Sequence, residues 1–165
     1  MYSTIQIIQT MISVDPSLGR IDKSSMSQQT LMELLIEGIT AEKELICTNA
    51  DSPAPIESWK GLEWTPAKEV KNILWFQYGL KGSVGIKWIP DTVEQLLLEK
   101  NHLEGTIPLG TLPESLESLE ISWNRFSGTL ELNTLPSNIQ WVAVHKNDFA
   151  GEISLTMPPK ALKYL

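Results

Sequence analysis

With 165 residues, 42% of them apolar, and six tryptophans, the chain has the length and apolar content of one folded domain, not of a disordered segment. Its formal net charge of −7 denies it the positive field that nucleic acid or an anionic membrane surface demands of a direct partner. Residues 1–69 hold five Lys and Arg against ten Asp and Glu, whereas residues 70–165 hold eight against ten, so the acidity belongs mainly to the N-terminal part.

At the N-terminus, Ile5, Ile7, Ile8, Met11 and Ile12 predict a short helix within the first twenty residues. That stretch lacks the basic n-region of a secretory signal, and no run reaches the roughly 18 consecutive apolar residues of a membrane helix. A single thiol, Cys47, and no N-x-S/T acceptor favour a reducing, intracellular setting, or an extracellular one if the N-terminus is incomplete. Next, Leu31, Leu34, Leu35 and Ile39 fall at helical spacing and predict a helix over Ser27 to Leu45, weakened near its end by Gly38. A polar, proline-containing loop follows from Asn49 to Pro55, and then the segment Trp59 to Trp64. Trp59, Trp64, Trp75 and Trp88 are expected in the core, where each ring buries about 150 to 250 Å².

From Val70 onward the chain repeats every 23 residues. Gly82, Gly105, Gly128 and Gly151 recur at that interval, as do Pro90, Pro113, Pro136 and Pro159, and Asn101, Asn124 and Asn147. The apolar positions keep the same register, as in Leu116, Leu119, Ile121, Phe126, Leu130, Leu132 and Leu135. A fixed period of this length identifies stacked supersecondary units, starting near residues 70, 93, 116 and 139, with a partial unit from 162.

The stretches VEQLLLEKNHLEGTIPLGTLP and LESLEISWNRFSGTLELNTLP resemble the L-x-x-L-x-L-x-x-N-x-L/F-x-G-x-I/L form of leucine-rich repeats. They look closest to the plant-type GTI subclass. The 23-residue length and a Leu-Pro before the next unit, as at Leu112-Pro113 and Leu135-Pro136, are also similar to protist leucine-rich repeat arrays. The resemblance covers residues 70–165 and implies an α/β repeat fold: a short solenoid with a parallel sheet on its concave face. Residues 1–69 resemble the N-terminal cap of such arrays, a helical and tryptophan-rich one here. In that family a W-x-G-V-x-C segment and paired cysteines staple the cap. Trp64 stands where the last cysteine belongs, so no disulfide is expected and aromatic burial takes its place.

The physical reading agrees. Alternate strand residues face opposite sides, so Leu96 and Leu98, or Leu119 and Ile121, point inward from one short strand per repeat. No unit buries its leucines alone; neighbours stack at about 4.8 Å and share one core. Asn101, Asn124 and Asn147 are expected to form a ladder of side chains bonded to turn backbone, while each proline, lacking an N–H, suits a turn outside the ladder. In the first unit Tyr78 replaces the asparagine and Trp75 a small aliphatic, as a terminal repeat allows. The last unit breaks off at Leu165 after beginning a strand, so either the sequence is a fragment or a partner or further repeats pack on that edge.

Little points to chemistry. His102 and His145 occupy different repeat positions with no metal-ligand spacing, and Gly79, Gly82 and Gly85 fall in the repeat frame, not in a phosphate loop. No cofactor, metal or enzymatic activity is expected. The outward sheet residues align in four columns: Asn72, Gln95, Ser118, Trp141 and Tyr164; Leu74, Leu97, Glu120 and Ala143; Phe76, Glu99, Ser122 and His145; Gln77, Lys100, Trp123 and Lys146. Trp123 and Trp141 resemble interface anchors, with His145, Tyr164, Leu97, Glu99, Glu120 and Lys146 around them. The expected function is a protein-interaction module or scaffold binding a partner through this face. The alternatives are a ligand-sensing fragment of a larger receptor or receptor kinase, and a structural subunit of a large assembly.

Overall fold

A computed structural model describes residues 23–165. The helix expected in the first twenty residues lies outside this range.

Helix α1, Gln28–Ile36, opens on Ser27, whose side chain accepts a hydrogen bond from the Thr30 backbone N–H at 3.1 Å. It buries Leu31, Met32, Leu34, Leu35 and Ile36. Its first two residues tie the helix to more distant backbone. Gln28 Oε1 accepts the Val70 backbone N–H at 2.6 Å, and Gln29 Oε1 accepts that of Ile56 at 2.7 Å.

The helix expected to run to Leu45 stops nine residues earlier. Gly38 lies against the Ser83 backbone, whose N–H it accepts at 2.9 Å, and a Cβ there would meet Ser83 Oγ at 2.3 Å. Ile39 is buried in a strand, β1 (Ile39–Ala41), antiparallel to β4 (Lys81–Gly82). One further helical turn, α2 (Glu44–Cys47), buries Ile46 and Cys47. Gly82 is required where β1 passes: its φ is +92°, and a Cβ would stand 2.2 Å from the Gly38 carbonyl oxygen.

The main sheet begins with β2 (Leu62–Trp64), antiparallel to β3 (Val70–Leu74). β3, β5 (Gln95–Leu97), β7 (Ser118–Glu120) and β9 (Trp141–Ala143) are parallel, in that order. Their register is the 23-residue period itself: Asn72 pairs with Gln95, Gln95 with Ser118, Ser118 with Trp141, and Tyr164 bridges to Trp141. Leu96, Leu98, Leu119 and Ile121 are at most 1% exposed. At each proline a turn closes onto the next strand, with Val93, Leu116, Ile139 and Leu162 donating to the carbonyls of Pro90, Pro113, Pro136 and Pro159.

The expectation of one strand per repeat needs correction, because each unit makes two. After the asparagine the chain forms a second sheet in the order β1-β4-β6-β8-β10, with β6 at His102–Thr106, β8 at Arg125–Gly128 and β10 at Asp148–Phe149. Short 3-10 turns at Ile86–Trp88, Leu109–Thr111 and Leu132–Thr134 follow β4, β6 and β8 and bury Ile86, Leu109 and Leu132, again 23 apart. One apolar cluster runs from Met32 and Leu35 through Ile73, Leu96 and Leu119 to Val142. Of the four tryptophans expected inside, Trp59 and Trp75 are buried, whereas Trp64 and Trp88 are half-buried against this cluster.

Candidate functional site

Three residues beyond each parallel strand of the main sheet stands a residue in the left-handed region: Gln77, Lys100, Trp123 and Lys146, with φ of 59°, 56°, 58° and 57°. This kink explains how adjacent residues such as Phe76 and Gln77 are both exposed, since it breaks strand alternation. It also turns the following asparagine inward. Asn124 Nδ2 donates to the carbonyls of Leu98 at 2.9 Å and Ile121 at 3.1 Å, and its Oδ1 accepts the Leu103 N–H at 3.0 Å. Asn101 bonds Trp75 O, Leu98 O and the Tyr78 and Leu80 N–H groups; Asn147 bonds Ile121 O, Val144 O and the Phe126 N–H. Every asparagine thus joins its own strand to the preceding one. Tyr78 has no preceding parallel strand to join, because β2 is antiparallel and the Gly61 carbonyl takes the Leu74 N–H at 2.7 Å.

The outward face of the main sheet carries Trp123 (51% exposed), Trp141 (41%), Tyr164 (57%) and Phe76 (45%), all large and apolar. Trp141 and Tyr164 stack with ring centroids 4.3 Å apart, tilted by 41°. Trp123 meets the exposed His145 edge-on at 6.5 Å, with Lys146 Nζ 5.6 Å from the indole centroid. A tryptophan at positive φ is uncommon and costs about 1 kcal/mol or more, so its presence at 123 is not explained by backbone preference.

Leu74, Leu97, Glu99, Glu120 and Ala143 are half-buried on the same face. Two residues expected outward are buried instead. Asn72 (7% exposed) donates from Nδ2 to Glu63 Oε2 at 2.7 Å, its cross-strand partner on β2, a strand that the sequence pattern did not predict. Ser122 (5%) is a short side chain whose column places it between Glu99 and His145.

The two carboxylates of this face sit in adjacent repeats. Desolvation, and then the Glu99 charge, push the Glu120 carboxyl above its ordinary value, and Glu99 Oε2 is buried without a hydrogen-bond partner. A raised carboxyl pKa means the folded state holds the proton more tightly than the unfolded state, so this group's contribution improves as pH falls from the folded pKa towards the unfolded one. Glu120→Gln is therefore expected to stabilise the protein at pH 7 by a few tenths of a kcal/mol, the scale of cross-strand pairs. That gain should vanish near pH 3, where both states of the wild type are protonated; urea unfolding at the two pH values measures it.

Along the start of the strands runs a polar row that 23-residue alignment would have revealed. Lys71 Nζ meets Glu94 Oε2 at 3.1 Å, Gln140 Nε2 donates to Glu117 Oε2 at 3.0 Å, and Lys163 Nζ donates to Gln140 Oε1 at 2.6 Å. Glu117, Gln140 and Lys163 of this row, with Gln95, Ser118, Trp141 and Tyr164 beside them, line an open groove of about 260 Å³.

Burial pushes the Cys47 thiol up, away from the reactive thiolate, and Sγ lies 3.3 Å from the carbonyls of Lys43 and Asn49. Among the described residues no group of three or more His, Cys, Asp or Glu is placed to hold a metal ion, and no helix is long and apolar enough to cross a membrane.

Two sheets of 23-residue register, an asparagine at three successive turns and a shared leucine core define a leucine-rich repeat fold. The BIR2 ectodomain from Arabidopsis thaliana matches it with a TM-score of 0.67 at 21% identity, over 84% of this chain and 77% of that one. The PEPR1–AtPEP1 structure matches with a TM-score of 0.65 at 22% identity, over 76% of this chain, which spans only 19% of the other. The LRR ectodomain of the Arabidopsis receptor kinase SOBIR1 gives 0.55 at 21% identity, covering 76% and 69% of the two chains. No protein-family model matches the sequence. No curated protein matches it either.

Proposed function

We propose that this chain is a non-catalytic protein-interaction module or scaffold, binding a protein partner through the outward, concave face of its main sheet. The observation that carries this reading is the pair of aromatic contacts, Trp123 with His145 and Trp141 with Tyr164, exposed on adjacent strands of one face. Exposed aromatic anchors amid polar residues are what protein interfaces use as hot spots. Leu97, Glu99, Glu120 and Lys146 complete the surface. The fold is consistent with this use, since PEPR1–AtPEP1 and the BIR3–SERK2 complex are solved as assemblies.

In finer terms we assign the array to plant-type GTI repeats of protist-like length, with residues 1–69 as cap and 70–165 as repeats. The lone buried thiol supports an intracellular setting. A second reading, a ligand-sensing part of a larger receptor, is favoured by the receptor ectodomains among the similar structures.

The test is affinity capture from the source cells with quantitative mass spectrometry, comparing wild type with a Trp123→Ala, Trp141→Ala variant shown to be folded. If the face binds, partners should be lost from the variant, with affinity down about 30-fold for each hot spot of roughly 2 kcal/mol. Identical partner sets would place binding elsewhere.

A further inference from the structure

The groove beside Trp141 has a composition that a protein interface does not require. One wall is Trp141, 41% exposed, with Tyr164 stacked on its far face at 4.3 Å between centroids. Its side is Gln95 and Ser118, in the same column of adjacent strands. Neither the Gln95 amide nor the Ser118 hydroxyl makes a side-chain hydrogen bond among the described residues, while Gln140 in the neighbouring row is engaged on both sides, with Glu117 and Lys163. The row behind them presents one carboxylate and one ammonium joined through an amide, so the groove carries no strong net charge.

An amide and a hydroxyl both donate and accept, which matches ligand groups that do the same. Aromatic faces match a ligand with an apolar, C–H-bearing surface. A neutral, polyhydroxylated ring has both features, with hydroxyls at its edge and C–H groups on its face, and about 260 Å³ gives room for one such ring in an open site. We infer that this groove is a carbohydrate subsite: one pyranose ring packs over Ser118 against the Trp141 face that Tyr164 leaves free, and its hydroxyls bond Gln95 and Ser118. The site goes beyond the protein-partner reading and does not depend on it.

The test is a titration of the ¹⁵N-labelled full chain with maltose, cellobiose and chitobiose, followed on the six indole N–H resonances, that of Trp141 being assigned by its absence in Trp141→Phe. At least one sugar should shift the Trp141 resonance saturably with a dissociation constant of about 1 mM. Trp141→Ala, read on the Gln95 and Ser118 backbone amides, should weaken binding about tenfold or more, the scale of one aromatic contact. Gln95→Ala should weaken it about threefold to tenfold through the lost hydrogen bond. No saturable shift with any of the three sugars at about 20 mM, or undiminished binding by folded Trp141→Ala, would overturn the assignment. So would saturation of the same resonance by a proline-rich decapeptide in the absence of any response to sugar. Loss or survival of captured protein partners has no bearing on these titrations, so the two readings fail separately.

Discussion

Asn124→Ala is expected to destabilise the protein by about 1 to 3 kcal/mol, because it orphans the buried Leu103 N–H and takes one of two amide donors from each of the Leu98 and Ile121 carbonyls, which keep Asn101 and Asn147. The Leu98 and Ile121 carbonyls lose Nδ2, and the Leu103 N–H loses Oδ1. Water does not replace the lost partner freely, since Asn124 is only 9% exposed in the middle of the array. One orphaned buried N–H costs about 1 to 3 kcal/mol, which against a total of about 5 to 15 kcal/mol is a large share. Asn147 makes the same pattern of bonds but is half-buried, so solvent can satisfy part of what its removal leaves. Asn147→Ala should cost clearly less. Urea unfolding of both variants by circular dichroism gives the order, and equal losses would show that the ladder's strength does not depend on burial.

Trp75→Ala should cost about 3 to 5 kcal/mol, the range for deleting a large buried aromatic. The ring is fully buried at the start of the array, and its Nε1 donates to the Lys60 carbonyl at 2.9 Å, joining the Trp59–Trp64 segment to the first repeat. The turn below it is already tight. Gly61 has φ of +72°, and a Cβ there would stand 2.8 Å from Trp75 Cδ1, so the indole has been accommodated by leaving that position bare. Trp123→Ala removes the same side chain from a half-exposed site and should leave stability nearly unchanged while weakening partner binding. Parallel denaturation of the two variants separates a tryptophan that builds the fold from one available to a ligand. Similar destabilisation by both would sink that distinction.

The same contrast shows what was legible beforehand. Trp59 and Trp75, expected in the core from the general burial preference of aromatic rings, are buried, and Trp123 and Trp141, expected outward from their columns in the repeat, are exposed. Trp64 and Trp88 stop at the core's edge, and no periodicity resolves half-burial. Asn72 and Ser122 obeyed alternation yet ended buried, one beside an antiparallel strand from outside the repeat and one between larger neighbours. The helix over Ser27 to Leu45 followed a sound apolar spacing through Ile39, but Ile39 found its partners in the backbone of the first repeat instead of along a helix. The left-handed residue beyond each parallel strand left no mark in composition, since Gln, Lys and Trp occupy it.

By itself the sequence determined the 23-residue register, the inward leucines and the asparagine at three successive turns. These are local choices repeated until they add up, and a unit that cannot bury its own apolar side specifies its neighbour as well. Tertiary structure alone decided where the first helix stops, that a second sheet runs through the glycines, and which outward residues stay exposed. Those outcomes depend on segments distant in the chain arriving against one another: Gly38 on Ser83, Glu63 on Asn72, Glu99 near Glu120. A period describes how each repeat resembles the next; what lies across from it is settled only when the chain has packed.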